Sequence, residues 1–228
     1  MKFLRKIFPN DPEDKRRWHQ KKRYRLLLAI VAISLVSNAL EVDSETVVAE
    51  SSTSYEDSFG DFTAQSYSKT GSDQIDIDFD YGVLRINHQG EGNFTLVGKD
   101  VDNEAELDLR ASGEFQTELD LGFTNSGITQ LEITTESSWT IELLPVAEAN
   151  YLTESAIGNG VFIYDGPEVD WSIENSEGVF ELIQVDMRTR QERLLNRAGE
   201  FESTVEASAG PSVVIIRASD RWSIEPQQ

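Results

Sequence analysis

Few residues of this chain are equipped for chemistry, and their absence is as informative as their spacing. Cysteine is missing altogether, which removes thiol nucleophiles, thiolate zinc sites, disulfides and a lipidated cysteine. The two histidines are His19 and His88, and His19 lies in a basic N-terminal stretch. A serine–histidine–acid hydrolase would therefore have to be built on His88. That residue falls in Asn87-His88-Gln89-Gly90, read as a strand-to-turn junction with Glu174 at the matching place further on. An exposed turn residue is the expectation. Lysine beyond residue 40 is confined to Lys69 and Lys99, so Schiff-base and serine–lysine schemes are also removed.

Carboxylates are what remain. Asp76, Asp78 and Asp80 alternate with Ile75, Ile77 and Phe79, a stripe whose members stand about 6.5–7 Å apart and do not converge on one ion. The run Asp100-Val101-Asp102-Asn103-Glu104-Ala105-Glu106-Leu107-Asp108 offers alternating oxygen donors of the kind that wrap calcium. It lacks the central glycine and the spaced final glutamate of an EF-hand, so calcium loop and solvated acidic loop both stay open. Acid pairs for glycoside hydrolysis are everywhere in so acidic a chain and carry no specificity. Sugar binding by displayed aromatics is the sharper alternative. Trp139, Trp171 and Trp222, however, each share a strand face with Ile141, Ile173 and Ile224, which predicts burial as core anchors. Tyr151 and Tyr164 are left as surface aromatics. No catalytic, cofactor-binding or metal-ligating residue is assigned, no cofactor is expected, and the chain is read as not an enzyme.

The elements that would position these groups repeat. Gly92-Asn93-Phe94-Thr95-Leu96 is matched by Gly178-Val179-Phe180-Glu181-Leu182, and Gly113-Glu114-Phe115 by Gly199-Glu200-Phe201, both at an offset of 86. Leu131-Glu132-Ile133 meets Val214-Ile215-Ile216, and Trp139-Thr140-Ile141-Glu142 meets Trp222-Ser223-Ile224-Glu225, at an offset of 83. One constant offset shortened once is what two copies of a fold with one trimmed loop produce. The period exceeds that of solenoid repeats, so each copy should own a core. Short alternating runs punctuated by glycine, with no sustained helical period, predict strands. Met187–Ala198 is the one stretch of helical propensity in the body, and its counterpart Val101–Ala111 reads as strand. The fold class expected is all-β: two tandem antiparallel β-sandwiches, jelly-roll or immunoglobulin-like, over residues 71–148 and 155–228. One N-terminal membrane helix precedes them.

These motifs, an Asn-Phe strand, Gly-Glu-Phe, a Leu-x-Ile strand and a terminal Trp-x-Ile, resemble the uncharacterised β-sandwich repeats of secreted or membrane-anchored proteins of Gram-positive bacteria. The resemblance covers Gly71–Pro145 better than Gly158–Pro226, where Val179 stands for Asn93 and Trp171 for Arg85. It implies no catalytic or binding residue.

Charge divides the chain. Of its 20 Lys/Arg and 41 Asp/Glu, residues 1–40 hold ten and three, leaving ten and 38 in the rest. A body this acidic repels nucleic acid. Residues 1–25 read as a basic cytoplasmic tail, and residues 26–40 as a membrane anchor or signal region oriented by the positive charge before it. A retained single-pass anchor and cleavage near Ala39, which would release the body, both remain open. Residues 41–70, rich in Ser, Thr and Glu, read as a flexible stalk, with Tyr55, Phe59, Phe62 and Tyr67 as the aromatics able to pack on the first domain. The partners expected are the membrane through residues 26–40 and a cell-wall, glycan or protein ligand, with no nucleic acid. The function expected is a non-enzymatic extracytoplasmic surface protein whose sandwiches bind or space. A carbohydrate-binding or carboxylate-dependent glycan-hydrolysing envelope protein is the alternative.

Overall fold

The computed structural model describes residues 54–227. The expected tail, the apolar segment and the start of the stalk lie outside the described residues. Among the described residues no helix is long and apolar enough to cross a membrane.

The end of the expected stalk is folded instead. Ser54 caps a one-turn helix, α1 (Tyr55–Phe59), through a reciprocal bond with Asp57. Strand β1 (Gln65–Thr70) follows and pairs along its length with a strand at the far end of the first half. The apolar residues decide this: Phe59 is buried, Phe62 stacks on Phe79 at 3.9 Å, and Tyr67 packs on the first core.

The first half continues with β2 (Asp73–Asp76), β3 (Gly82–Gln89), β4 (Asn93–Lys99), β5 (Ala105–Ser112), β6 (Phe115–Leu121), β7 (Gln130–Thr135) and β8 (Ser138–Leu144). They form two four-stranded sheets, ordered β1-β8-β3-β6 and β2-β7-β4-β5. After a 3-10 turn at Val146–Glu148 come β9 (Asn150–Tyr151), β10 (Ser155–Ile157), β11 (Gly160–Tyr164), β12 (Val169–Asn175), β13 (Val179–Asp186), β14 (Gln191–Ala198), β15 (Phe201–Ala207), β16 (Ser212–Ala218) and β17 (Arg221–Pro226). Their sheets run β10-β17-β12-β15 and β14-β13-β16-β11-β9. Pairing is antiparallel except for β9 on β11. Setting β9 aside, the order of the first half recurs strand for strand in the second. It is the two-Greek-key order of an eight-stranded jelly roll, not the seven-stranded immunoglobulin order. The helical propensity over Met187–Ala198 is overridden: Gln191–Ala198 is β14, because Val179–Asp186 offers it a ladder of backbone partners with one register shift between Leu182 and Ile183.

Each half has a core between its two sheets. Leu84, Ile86, Phe94, Leu96, Leu131 and Ile141 fill the first, and Trp171, Ile173, Phe180, Leu182, Val214 and Ile216 the second. A third core lies between the halves. Val161, Ile163, Ile183, Val185, Val213 and Ile215, on the outer face of the second half's five-stranded sheet, meet Val83, Phe123, Leu144, Val146 and Phe59. That sheet is therefore buried on both faces, which is why β16 reads Val213-Val214-Ile215-Ile216 without alternation. Each such side chain contributes about 1.5–3 kcal/mol relative to exposure. Each half thus has a core of its own, as expected, and the two share this third one in addition.

α1 closes the seam. Phe59 meets Phe123 edge-on at 5.2 Å, while the Tyr55 hydroxyl donates to Asp165 Oδ1 of the second half at 2.7 Å. Burial and that bond push the Tyr55 phenol well above its ordinary pKa.

Candidate functional site

His88 is buried at 1 % exposure, not displayed in a turn. It sits on the inward face of β3, between Phe94 and Phe115. Its Nδ1 donates to the Gly113 carbonyl at 2.7 Å, and Nε2 stands 3.3 Å from the Thr135 hydroxyl. Both ring nitrogens serve the fold. The strand register also corrects its counterpart: His88 lies opposite Phe115 and Trp139, and Asn175, not Glu174, lies opposite Phe201 and Trp222. By the same register Arg85 corresponds to Ser172 and Leu84 to Trp171.

The three tryptophans are buried as expected, at 1–2 % exposure. Trp139 and Trp222 donate their indole N–H to the carbonyls of Gly71 (2.8 Å) and Gly158 (2.9 Å). Both glycines have positive φ, +86° and +78°, a backbone that side chains resist. Tyr164 stands edge-on over Trp171 at 5.0 Å. Tyr151 is half-exposed.

Asp76, Asp78 and Asp80 are all exposed. In the acidic loop, Asp100, Glu104 and Glu106 bring one carboxylate oxygen each within 4.8 Å of the others. Asp100 Oδ1, however, accepts the amides of Asp102 and Glu104, both at 2.9 Å. Asp186 does the same for Arg188 (2.8 Å) and Arg190 (3.0 Å) in the second half. The shared geometry is that of a turn built on an aspartate side chain, with Asn103 and Thr189 at positive φ in each.

Two carboxylates, Asp120 and Glu181, are buried. Asp120 is 2 % exposed and accepts from the Thr124 amide (2.8 Å) and hydroxyl (2.6 Å). Its other oxygen takes Arg217 Nη2 at 3.2 Å. Glu181, also buried, is held by Arg193 at 2.6 Å and by Arg217 Nη1 at 3.6 Å. Arg217 leaves the second half's five-stranded sheet to bind Asp120 of the first half. The cluster thus neutralises carboxylates trapped in the seam.

A concave feature with convergent polar groups lies on the outer face of the first half's β1-β8-β3-β6 sheet. It is a groove of about 380 Å³, lined by Arg85, Asn87, Gln116, Glu118, Thr140 and Glu142, with Asn159 of the second half at its end. Two cross-strand rows form its floor. In one, Arg85 lies between Glu118 and Glu142; in the other, Asn87 lies between Gln116 and Thr140. Arg85 Nε donates to Glu118 Oε1 at 2.8 Å, and Nη1 to Glu142 Oε2 at 3.1 Å. Burial works against the guanidinium's charge, but its bonds to Glu118 and then Glu142 outweigh this and raise its pKa. Asn150 reaches Glu118 from the second half at 3.5 Å, and Asn159 donates to Thr117 at 3.3 Å. Sequence reasoning missed this site. Its one signal was Arg85, a cation inside the apolar run Val83-Leu84-Arg85-Ile86; the partners come from strands 33 and 57 residues away.

No family model and no curated protein matches this chain. Among solved structures it is similar to a "putative secreted protein" from Parabacteroides distasonis ATCC 8503, at 9% identity over 72% of this chain and 89% of that one, with a TM-score of 0.23. It is also similar to the regulatory subunit of a cAMP-independent protein kinase A from Trypanosoma brucei, at 9% identity over 72% and 74%, with a TM-score of 0.22. Likenesses this distant carry no argument, and the β architecture rests on the strand pairing above.

Proposed function

We propose that this protein is a non-enzymatic extracytoplasmic surface protein, held at the membrane through residues 26–40. Its body consists of two copies of one jelly roll fused into a single binding module. The recurrence of strand order, at the offsets read from the sequence, supports duplication. The basic first 40 residues and the acidic remainder support an inside tail and an outside body.

One observation carries the choice of binding over catalysis. The groups best suited to acid–base work are each engaged by a partner within the protein. His88 is bonded at both nitrogens, Asp120 and Glu181 are bound to Arg217, and Glu118 and Glu142 share Arg85. The same groove favours a glycan-binding reading over a spacer role alone, since a spacer needs no polar groove spanning three strands.

The test is to treat intact cells with protease and to assay purified full chain on glycan, ester and peptide substrates. The body is expected to be cleaved from outside, with no turnover. A protease-resistant body, or hydrolysis abolished by Glu118→Gln or Glu142→Gln, refutes the proposal.

A further inference from the structure

We propose that the Arg85 groove recognises an uncharged polyhydroxyl ligand, a short glycan segment. This deepens the binding reading above and rests on it. The fold itself does not require the groove's chemistry. At the matching places of the second half, Ser172 replaces Arg85, Thr204 replaces Glu118 and Glu174 replaces Asn87, and the strands pair in the same way. Part-exposed ion pairs contribute little stability, about 0–1 kcal/mol each.

What the arrangement does achieve is to fix a guanidinium. Held by a carboxylate on either side, Arg85 keeps three of its five N–H donors for another partner. The second oxygens of Glu118 and Glu142 remain acceptors beside them. In the adjacent row, neither the Asn87 nor the Gln116 amide has a hydrogen-bond partner among the described residues. The groove therefore presents fixed donors and acceptors side by side, and its rows stand about 6.5–7 Å apart.

Charge selects the class of ligand. One guanidinium and two carboxylates leave the groove with a net charge of −1, so an anion meets both glutamates. A cation meets the guanidinium, which occupies the centre. A sugar hydroxyl donates and accepts at once and can bridge an Arg85 N–H to a glutamate oxygen. Neighbouring hydroxyls can then engage Asn87 and Gln116. The volume suits the small end of ligand sites.

The experiment is a glycan array carrying neutral, uronate-containing and amino-sugar glycans, probed with the full chain. Titration of the best neutral oligosaccharide follows, with reducing ends monitored throughout. Binding confined to neutral glycans is expected, weakened roughly tenfold or more in Arg85→Ala. Asn87→Ala and Gln116→Ala, which remove solvated amides and leave the fold intact, should weaken it severalfold. Glu174→Gln in the second half should leave it unchanged. No glycan bound, preference for charged glycans, or binding indifferent to Asn87 and Gln116 overturns the groove assignment. Whole-cell-wall binding that survives all three groove substitutions would sink this site but spare the binding-module reading. Release of reducing ends would sink the non-enzymatic reading itself.

Discussion

His88 and Asn175 perform one task in the two halves. Each donates a side-chain N–H to the glycine carbonyl at the turn leading into the strand beside it: His88 Nδ1 to Gly113 at 2.7 Å, and Asn175 Nδ2 to Gly199 at 2.9 Å. The glycines match in turn, the Gly113 amide reaching the Gly92 carbonyl and the Gly199 amide the Gly178 carbonyl. The sites differ at the far end. His88 has the Thr135 hydroxyl, whereas Asn175 Oδ1 is buried without a partner, and Ala218 holds the strand position that Thr135 occupies in the first half.

His88→Ala should therefore cost about 1–3 kcal/mol by stranding the part-buried Gly113 carbonyl, and His88→Asn should recover most of it. Ala218→Thr should stabilise by about 0.5–1 kcal/mol by supplying Asn175 with a donor. Urea unfolding of the full chain measures all three. Equal losses for His88→Asn and His88→Ala would end the equivalence.

Trp139→Ala and Trp222→Ala should each destabilise by about 3–5 kcal/mol, since each removes a buried ring. The Phe variants should lose less but still register the orphaned Gly71 or Gly158 carbonyl. A loss under about 1 kcal/mol for either alanine variant would contradict the core role.

The shared core predicts one unfolding transition for both halves, seen alike by tryptophan fluorescence and far-ultraviolet circular dichroism. Arg217→Met should cost about 1–3 kcal/mol, tempered by the arginine's partial exposure, because Asp120 loses its cation in the seam. Ile215→Asp should separate the halves into two transitions. A wild-type protein that already unfolds in two steps would show that the seam does not couple them.

Acid stability should depend on Asp186. Burial works against its carboxylate, but bonds from the Arg190 side chain and the Arg190 and Arg188 amides prevail and lower its pKa. A carboxyl depressed in the folded state contributes stability that is complete above the unfolded value near 4 and is lost as pH falls through the folded value. Asp186→Asn should cost about 0.5 kcal/mol or less at pH 7, the site being partly exposed, and that gap should close as pH falls below the ordinary carboxylate range. A gap that persists in acid would assign the effect to turn geometry instead of charge.

The strands, their inward faces and the recurrence of one pattern are all legible along the chain. Alternation about a sheet and glycine at turns are local properties, written in consecutive residues such as Leu131-Glu132-Ile133 and Trp139-Thr140-Ile141. Burial of the three tryptophans followed from the same period. What those strands meet depends on packing between segments distant in sequence. His88 reads as a turn residue until β6 and β8 are laid beside it. Arg85 reads as a lone cation until Glu118 and Glu142 arrive from strands distant in sequence. The unbroken apolar run Val213–Ile216 was the local trace of a doubly buried sheet. Its second partner, the face carrying Val83, Phe123 and Leu144 with Phe59 inserted from α1, comes from packing between halves, which no period along the chain encodes.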